Sequence, residues 1–189
     1  MHQKILVRKK YYLLRKKKYY EISKEFFIPL IRLIKSKFKN RTFKLALYYP
    51  ALFEINVLKL LEFNYISNKN LLLPVIKENS SMNFSPWKKN EVLQVNKYGM
   101  LEPLTLKNQI IPDIILVPLI AFDSNNHRLG YGKGYYDKFL NMLPGEESTL
   151  TSAERTELKD MITAFYSTYH DRELNSYNEN IPIGCPVIL

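Results

Sequence analysis

Between Arg128 and Asp137 the chain reads Arg-Leu-Gly-Tyr-Gly-Lys-Gly-Tyr-Tyr-Asp. Three glycines at alternate positions, Gly130, Gly132 and Gly134, let a backbone approach a bulky anion because no Cβ stands in the way. Arg128 and Lys133 bring fixed positive charge, and Asp137 is a hard oxygen ligand for a divalent cation riding on phosphates. This combination points to phosphoryl chemistry, which needs positioning and charge neutralisation rather than a side-chain nucleophile. A bare G-x-G-x-G string is weak, since the same glycines serve a flexible turn. The flanking Arg, Lys and Asp favour the phosphate reading. The loop is not a Walker A motif, because no G-K-[ST] closes it. It is not the dinucleotide fingerprint either, whose third glycine falls later and whose loop follows the first strand.

Such a loop works only between elements that hold it. The apolar run from Ile114 to Ala121 predicts one long strand buried on both faces. A polar turn follows at Asp123 to His127, and a helix starts through Lys138, Phe139 and Leu140. Free N–H groups at that helix start would then face the anion. Upstream, residues 3–20 and 23–38 read as helices, the second with Phe26, Phe27, Leu30, Ile31 and Ile34 on one face. Residues 43–49 read as a strand ended by Pro50. Glu54 follows at the turn, and Val57, Leu58, Leu60 and Leu61 make an amphipathic helix. Leu71 to Ile76 is the next strand, in which Pro74 indicates an edge or a strand end. From Met82 to Pro103 a small antiparallel excursion is expected, with turns at Ser85-Pro86 and Tyr98-Gly99. Strands separated by helices predict an α/β fold: three layers, with a largely parallel sheet and helices on both faces.

Composition narrows the classes. At 189 residues and 46% hydrophobic, the chain is long enough for one domain with its own core. No run reaches the length of a membrane span, and the amino terminus lacks the apolar core of a secretory signal. One cysteine, Cys185, excludes an internal disulfide framework, and with three histidines it argues against structural zinc. A cytoplasmic monomer is the expectation. The net charge of +10 is uneven: residues 1–44 carry fifteen Lys or Arg against two Glu, and residues 145–189 carry three basic against eight acidic residues. A basic half fits nucleic acid, an anionic membrane or an anionic small molecule, and equally a solvated helix face. The expected partners are small molecules, not nucleic acid and not a membrane.

The run Pro112-Asp-Ile-Ile-Leu-Val-Pro-Leu-Ile-Ala-Phe-Asp123, followed by Arg128 to Leu140, resembles the 5-formyltetrahydrofolate cyclo-ligase (5,10-methenyltetrahydrofolate synthetase) family. Weaker pieces fall in the same order. Lys4-Ile-Leu-Val-Arg8 resembles the family's K-x-x-[LV]-R. Leu47-Tyr48-Tyr49 with Glu54 resembles its strand-to-helix turn bearing a substrate-binding glutamate. Met82-x-Phe84-x-x-Trp87 and Gly99-Met-Leu-Glu102-Pro103 match its middle section. The likeness covers residues 4 to about 142, so residues 1–142 read as a cyclo-ligase-like unit and residues 143–189 as a divergent segment. A fold of the NagB/RpiA/CoA transferase-like type is implied.

The resemblance implies ATP- and Mg2+-dependent closure of 5-formyltetrahydrofolate to 5,10-methenyltetrahydrofolate. The formyl oxygen attacks the γ-phosphate, N10 closes the ring and phosphate leaves. Arg128 and Lys133 would be catalytic. Lys4, Ile5, Leu6, Val7 and Arg8 would line ATP, together with the loop from Arg128 and Leu129 through Gly130, Tyr131, Gly132, Lys133 and Gly134 to Tyr135 and Tyr136. Tyr49, Glu54, Phe84 and Trp87 would bind the folate with Tyr131, Gly132, Lys133, Gly134 and Tyr135. Asp137 would hold Mg2+. Each has a plainer alternative. Lys4 and Arg8 could share one exposed helix face, and Glu54 could be a helix N-terminal acid. Phe84 and Trp87 could form a lid without ligand contact, and Tyr135 and Tyr136 could pack the helix onto the sheet.

After Leu140 the family's next strand, of the type I-G-x-A, is missing. Thr151 and Glu154 instead form a capping box, and Leu158, Met161, Ile162, Phe165 and Tyr169 form one helical stripe. His170-Asp171 resembles the family's late His-Asp pair, and Ile181 to Gly184 resembles a displaced remnant of the strand. An altered end leaves an alternative: a catalytically impaired nucleotide- or folate-binding remnant.

Overall fold

The computed structural model describes residues 2–39, 41–78, 81–104, 110–122, 128–143, 153 and 187–188. Helix α1 spans His2–Lys18, and a 3-10 turn at Lys24–Phe27 leads into α2, Ile28–Phe38. Strand β1 is Leu45–Ala46, a second 3-10 segment is Val57–Glu62, and β2 is Leu71–Ile76. Strands β3 (Met82–Pro86), β4 (Leu93–Val95), β5 (Leu101–Pro103), β6 (Ile114–Leu116), β7 (Ala121–Phe122) and β8 (Arg128–Leu129) follow. Helix α3 is Tyr135–Leu140, and β9 is Val187–Ile188.

The main sheet runs β3-β2-β1-β6-β9. Its centre is parallel, Leu45 opposite both Leu71 and Ile114, while both edge pairings, β2 with β3 and β6 with β9, are antiparallel. The sheet is therefore mixed rather than largely parallel. Successive strand side chains point to opposite faces, and both faces are apolar. Leu45, Leu47, Leu71, Leu73, Ile114 and Leu116 meet α2 and the 3-10 segments on one side. Ala46, Leu72, Ile115 and Val117 meet Phe139 of α3 on the other. Helices thus cover both faces, as the order of elements predicts. Each buried Leu, Ile, Val or Phe among them contributes roughly 1.5–3 kcal/mol of transfer free energy.

Several expectations change in detail. The apolar run at 114–121 is buried at every position but Pro118, yet it is not one strand. It leaves the sheet after Leu116, passes Pro118, and re-forms as β7 in a ribbon with β8. Proline has no N–H to give a ladder, so the break falls beside it. Ser85-Pro86 is not a turn but the end of edge strand β3. The Tyr98-Gly99 turn is present, closing the β4–β5 hairpin with Gly99 at φ 77°. Pro74 sits in the interior strand β2. Its missing N–H would face β1, where the ladder has already stopped: Leu47 N donates to Leu72 O at 2.9 Å, and the next outward amide, Ile76 N, is taken by Glu102 at 3.1 Å.

Helix α1 packs Val7, Tyr11 and Leu14 against Ile120, Ala121 and Leu129, so it lies over the ribbon that begins the glycine loop. Among the described residues no helix is long and apolar enough to cross a membrane. The turn at 123–127, the 151/154 capping box, the 158–169 stripe, His170-Asp171 and residues 181–184 lie outside the described residues.

Phe139 is 1% exposed and meets Phe84 edge-on at 4.9 Å, making it the anchor of α3. Phe139→Ala should lower stability by roughly 3–5 kcal/mol, measured by denaturant unfolding. A loss below about 1 kcal/mol would mean that α3 is not held by this contact.

Candidate functional site

The glycine loop, residues 130–134, is gripped by two arginines. Arg8 of α1 donates Nε to the Gly130 carbonyl at 2.8 Å, and its guanidinium lies against Gly132, where a Cβ would come within 3.0 Å. Arg128 of β8 donates Nη1 to the Pro118 carbonyl at 3.2 Å and pairs through Nη2 with Asp137 Oδ1 of α3. A Cβ on Gly130 would sit 2.7 Å from Arg128 Nη1. Gly132 (φ 94°) and Gly134 (φ 68°) hold left-handed conformations, and Gly134 caps α3. These glycines are needed both for dihedral freedom and for close approach.

Glu54 comes to the same place from the other half of the chain. It ends a tight turn in which Leu52 (φ 47°) and Phe53 (φ 68°) are both left-handed, a strained pair of non-glycine residues. The Phe53 ring is braced by Tyr12 and Tyr19 of α1 and its exit, at 6.3 and 5.7 Å between centroids. The turn aims the carboxylate inward. Glu54 is 9% exposed, Ala51 N donates to its Oε2 at 2.9 Å, and the Tyr131 hydroxyl is the neighbour that most favours its charged form. Arg15 Nη1 donates to that same hydroxyl at 3.0 Å. Tyr131 keeps a ring face exposed while its hydroxyl end is enclosed between Arg15 and Glu54.

Burial dominates the electrostatics. It raises the Glu54 carboxyl above its ordinary value, against the lowering by Tyr131, Ala51 and the Arg15 charge. Burial, aided by the Glu54 charge, also keeps the Tyr131 and Tyr136 hydroxyls protonated, although Arg15 and Arg128 respectively oppose it. The Tyr136 hydroxyl is buried with no hydrogen-bond partner among the described residues. Such an orphan donor suits an incoming ligand oxygen.

Not all of the expected residues converge. Arg8, Arg128, Gly130, Tyr131, Gly132, Gly134, Tyr136 and Asp137 gather around the loop with Glu54. Leu129 and Val7 pack beneath it, while Lys4, Ile5 and Leu6 are exposed. Lys133 lies over the Tyr98 ring at 5.5 Å, and Tyr135 meets the same ring at 5.8 Å. Phe84 and Trp87 are 1% and 4% exposed and belong to the cores on opposite faces of the sheet. Tyr49 meets Trp87 edge-on at 6.4 Å and remains accessible.

Two participants escaped the sequence. Arg15 sits in a run of basic residues, Arg15 to Lys18, where nothing marks it as the buried member. Tyr98 belongs to a turn whose approach to the loop depends on tertiary packing. Asp137 is the exposed carboxylate at the loop, Glu54 being buried, and no group of three His, Cys, Asp or Glu forms a metal site among the described residues. Magnesium commonly takes one or two protein carboxylates plus phosphate oxygens and water. Asp137 fits that pattern: its Oδ2 faces Gly134 and its side chain is 60% exposed.

A sequence profile of the 5-formyltetrahydrofolate cyclo-ligase family matches residues 8–166. The chain is 32% identical over 102 residues to a 5-formyltetrahydrofolate cyclo-ligase of Haemophilus influenzae, covering 51% of this chain and 54% of that one. It is 33% identical over 102 residues to the cyclo-ligase of Mycoplasma genitalium, covering 52% and 51%. The match thus spans about half the length of these curated relatives. The NMR structure of Aquifex aeolicus 5,10-methenyltetrahydrofolate synthetase superposes with a TM-score of 0.54 at 31% identity, covering 75% of this chain and 74% of that one.

The Glu54 shift has a signed consequence. Its folded value lies above the ordinary 4.5, so in that window the native state keeps a proton that the unfolded chain has lost. Stability should therefore fall as pH rises through the window. Glu54→Gln, neutral at every pH, should flatten that slope in melting curves taken from about pH 4 to about pH 8. A variant that keeps the wild-type slope would assign the titration to another group.

Proposed function

Because the chain belongs to the 5-formyltetrahydrofolate cyclo-ligase family, we propose that it closes 5-formyltetrahydrofolate to 5,10-methenyltetrahydrofolate while converting ATP to ADP and phosphate. One observation carries the reading: the glycine loop is held by Arg8 at the Gly130 carbonyl and by Arg15 at the Tyr131 hydroxyl, the group that also favours the charged form of the buried Glu54. An anion cradle and a carboxylate for a donor-rich ligand are thereby one continuous site.

The difficulty of the reaction is that a formyl oxygen on nitrogen is a weak nucleophile and a poor leaving group. Transfer of the γ-phosphoryl group to that oxygen turns it into phosphate, which departs once N10 has attacked the formyl carbon. Arg8 and Arg128 neutralise the developing charge, Lys133 leaves the Tyr98 ring to reach it, and the backbone from Arg128 to Tyr136 wraps the phosphates. Magnesium held by Asp137 would supply further charge withdrawal at the phosphate oxygens. Glu54 accepts hydrogen bonds from the donor edge of the pterin, with Tyr49 offering an accessible aromatic face. The enclosed Tyr136 hydroxyl, a neutral donor, meets a ligand oxygen. All of these residues lie within 1–142, and the enzyme is read as a cytoplasmic monomer with small-molecule partners.

Purified protein given 5-formyltetrahydrofolate and Mg-ATP should develop the absorbance of the methenyl product. ATP binding without that absorbance would leave a binding protein and end the enzymatic reading. Arg128→Ala and Asp137→Ala should each lower turnover by roughly 10²–10³ while the protein stays folded. Glu54→Ala should weaken folate binding by about tenfold or more, and an unchanged affinity would remove the substrate role given to this carboxylate.

A further inference from the structure

Arg15 is the charged side chain that the phosphate and folate assignments leave unused. It is 2% exposed and stands among the largest fully buried side chains of the protein. A buried guanidinium is costly unless acceptors meet it, and here they meet its two Nη atoms while Nε has no hydrogen-bond partner among the described residues. Nη2 donates to the carbonyls of Leu119 and of Ile120, the latter at 3.2 Å, and Nη1 donates to the Tyr131 hydroxyl at 3.0 Å.

The direction of these bonds is fixed by chemistry. A guanidinium can only donate. The phenol oxygen of Tyr131 is therefore the acceptor from Arg15, and its single proton is left for the neighbouring Glu54, whose charged form the hydroxyl favours. The chain of donation runs from Arg15 through Tyr131 to Glu54, whose Oε2 takes the Ala51 N–H at 2.9 Å. The titratable and charged groups facing Glu54 are Arg15 from α1, Tyr131 from the loop and Tyr136 from α3.

We propose that Arg15 is a positioning residue for the folate side of the site, acting through the Tyr131 hydroxyl to orient the Glu54 carboxylate. The identity of the ligand rests on the cyclo-ligase reading; the relay itself does not. Two fixed carbonyls hold one nitrogen of the guanidinium in place so that the other polarises the phenol. A lysine could not do both, because it lacks the rigid fork. Without the relay the phenol proton is free to rotate, and the carboxylate loses the bond that holds it toward the loop.

Tyr131→Phe cuts the relay while leaving the loop backbone and the Leu119 and Ile120 ties intact. Arg15→Lys keeps the charge but loses the fork. Dissociation constants for 5-formyltetrahydrofolate and, separately, for ATP are measured without turnover, alongside Tm. Each single variant should weaken folate binding by about tenfold, as expected for a hydrogen bond to a charged group, and change ATP affinity by less than about twofold. The double variant should bind folate no more weakly than the worse single variant, because both changes break one path. Additive losses, or equal losses of folate and ATP binding, would overturn the relay and leave Arg15 a purely structural residue. If Arg15→Lys does not fold, unchanged folate affinity in Tyr131→Phe overturns it alone. If the wild-type protein binds no 5-formyltetrahydrofolate, the cyclo-ligase reading fails. The relay is then decided by the Tm values: coupled losses retain it and additive losses end it.

Discussion

Backbone carbonyls cannot be left unpaired in a buried place, and that constraint organises this protein. The apolar run that forms β6 stops pairing after Leu116 while remaining buried. Its carbonyls at Pro118, Leu119 and Ile120 are met by two arginines, Arg128 and Arg15, in place of a neighbouring strand. The same two side chains then point onward, Arg128 to Asp137 and Arg15 to Tyr131. Satisfying the backbone and assembling the site are one event. The arginines hold the ribbon, the helix and the glycine loop in a single arrangement.

The second ingredient is a carboxylate delivered under strain. The turn at 51–54 holds two left-handed non-glycine residues, each costing of order 1–3 kcal/mol. Aromatic packing from α1 braces it. Helix α1 therefore reaches both halves of the site: Arg8 touches the loop, Arg15 the bridging tyrosine, and Tyr12 the turn. Its basic sequence looks like a solvated face, yet part of it is the clamp on which the site closes.

What was legible in the chain follows from which forces are local. Glycine spacing and flanking charge reveal the loop, because backbone freedom is a property of single residues. Continuous apolar runs and the order of strands and helices reveal the two-faced sheet, and the family likeness points to Glu54. Register and strand length were not legible, since they depend on partners far away in sequence. The run at 114–121 looks continuous, but Pro118 divides it. That the Phe84 and Trp87 rings face two different cores is visible only in the packed sheet. Arg15 is indistinguishable from the lysines beside it until its acceptors are in view.

The short reach of β1 has an effect some distance from the strand itself. Because β1 stops early, β2 has an outward amide at Ile76 with no strand beside it, and the Glu102 carboxylate of the β4–β5 hairpin stands in for the missing carbonyl. Glu102 also takes the side-chain amide of Asn96, whose own oxygen receives Tyr98 N and Met100 N, so the hairpin is docked and its tip shaped by one acid. That tip hangs Tyr98 above Lys133 and Tyr135. A gap in the sheet's ladder thus sets the height of the awning over the glycine loop, and a longer β1 would leave that awning without its hinge.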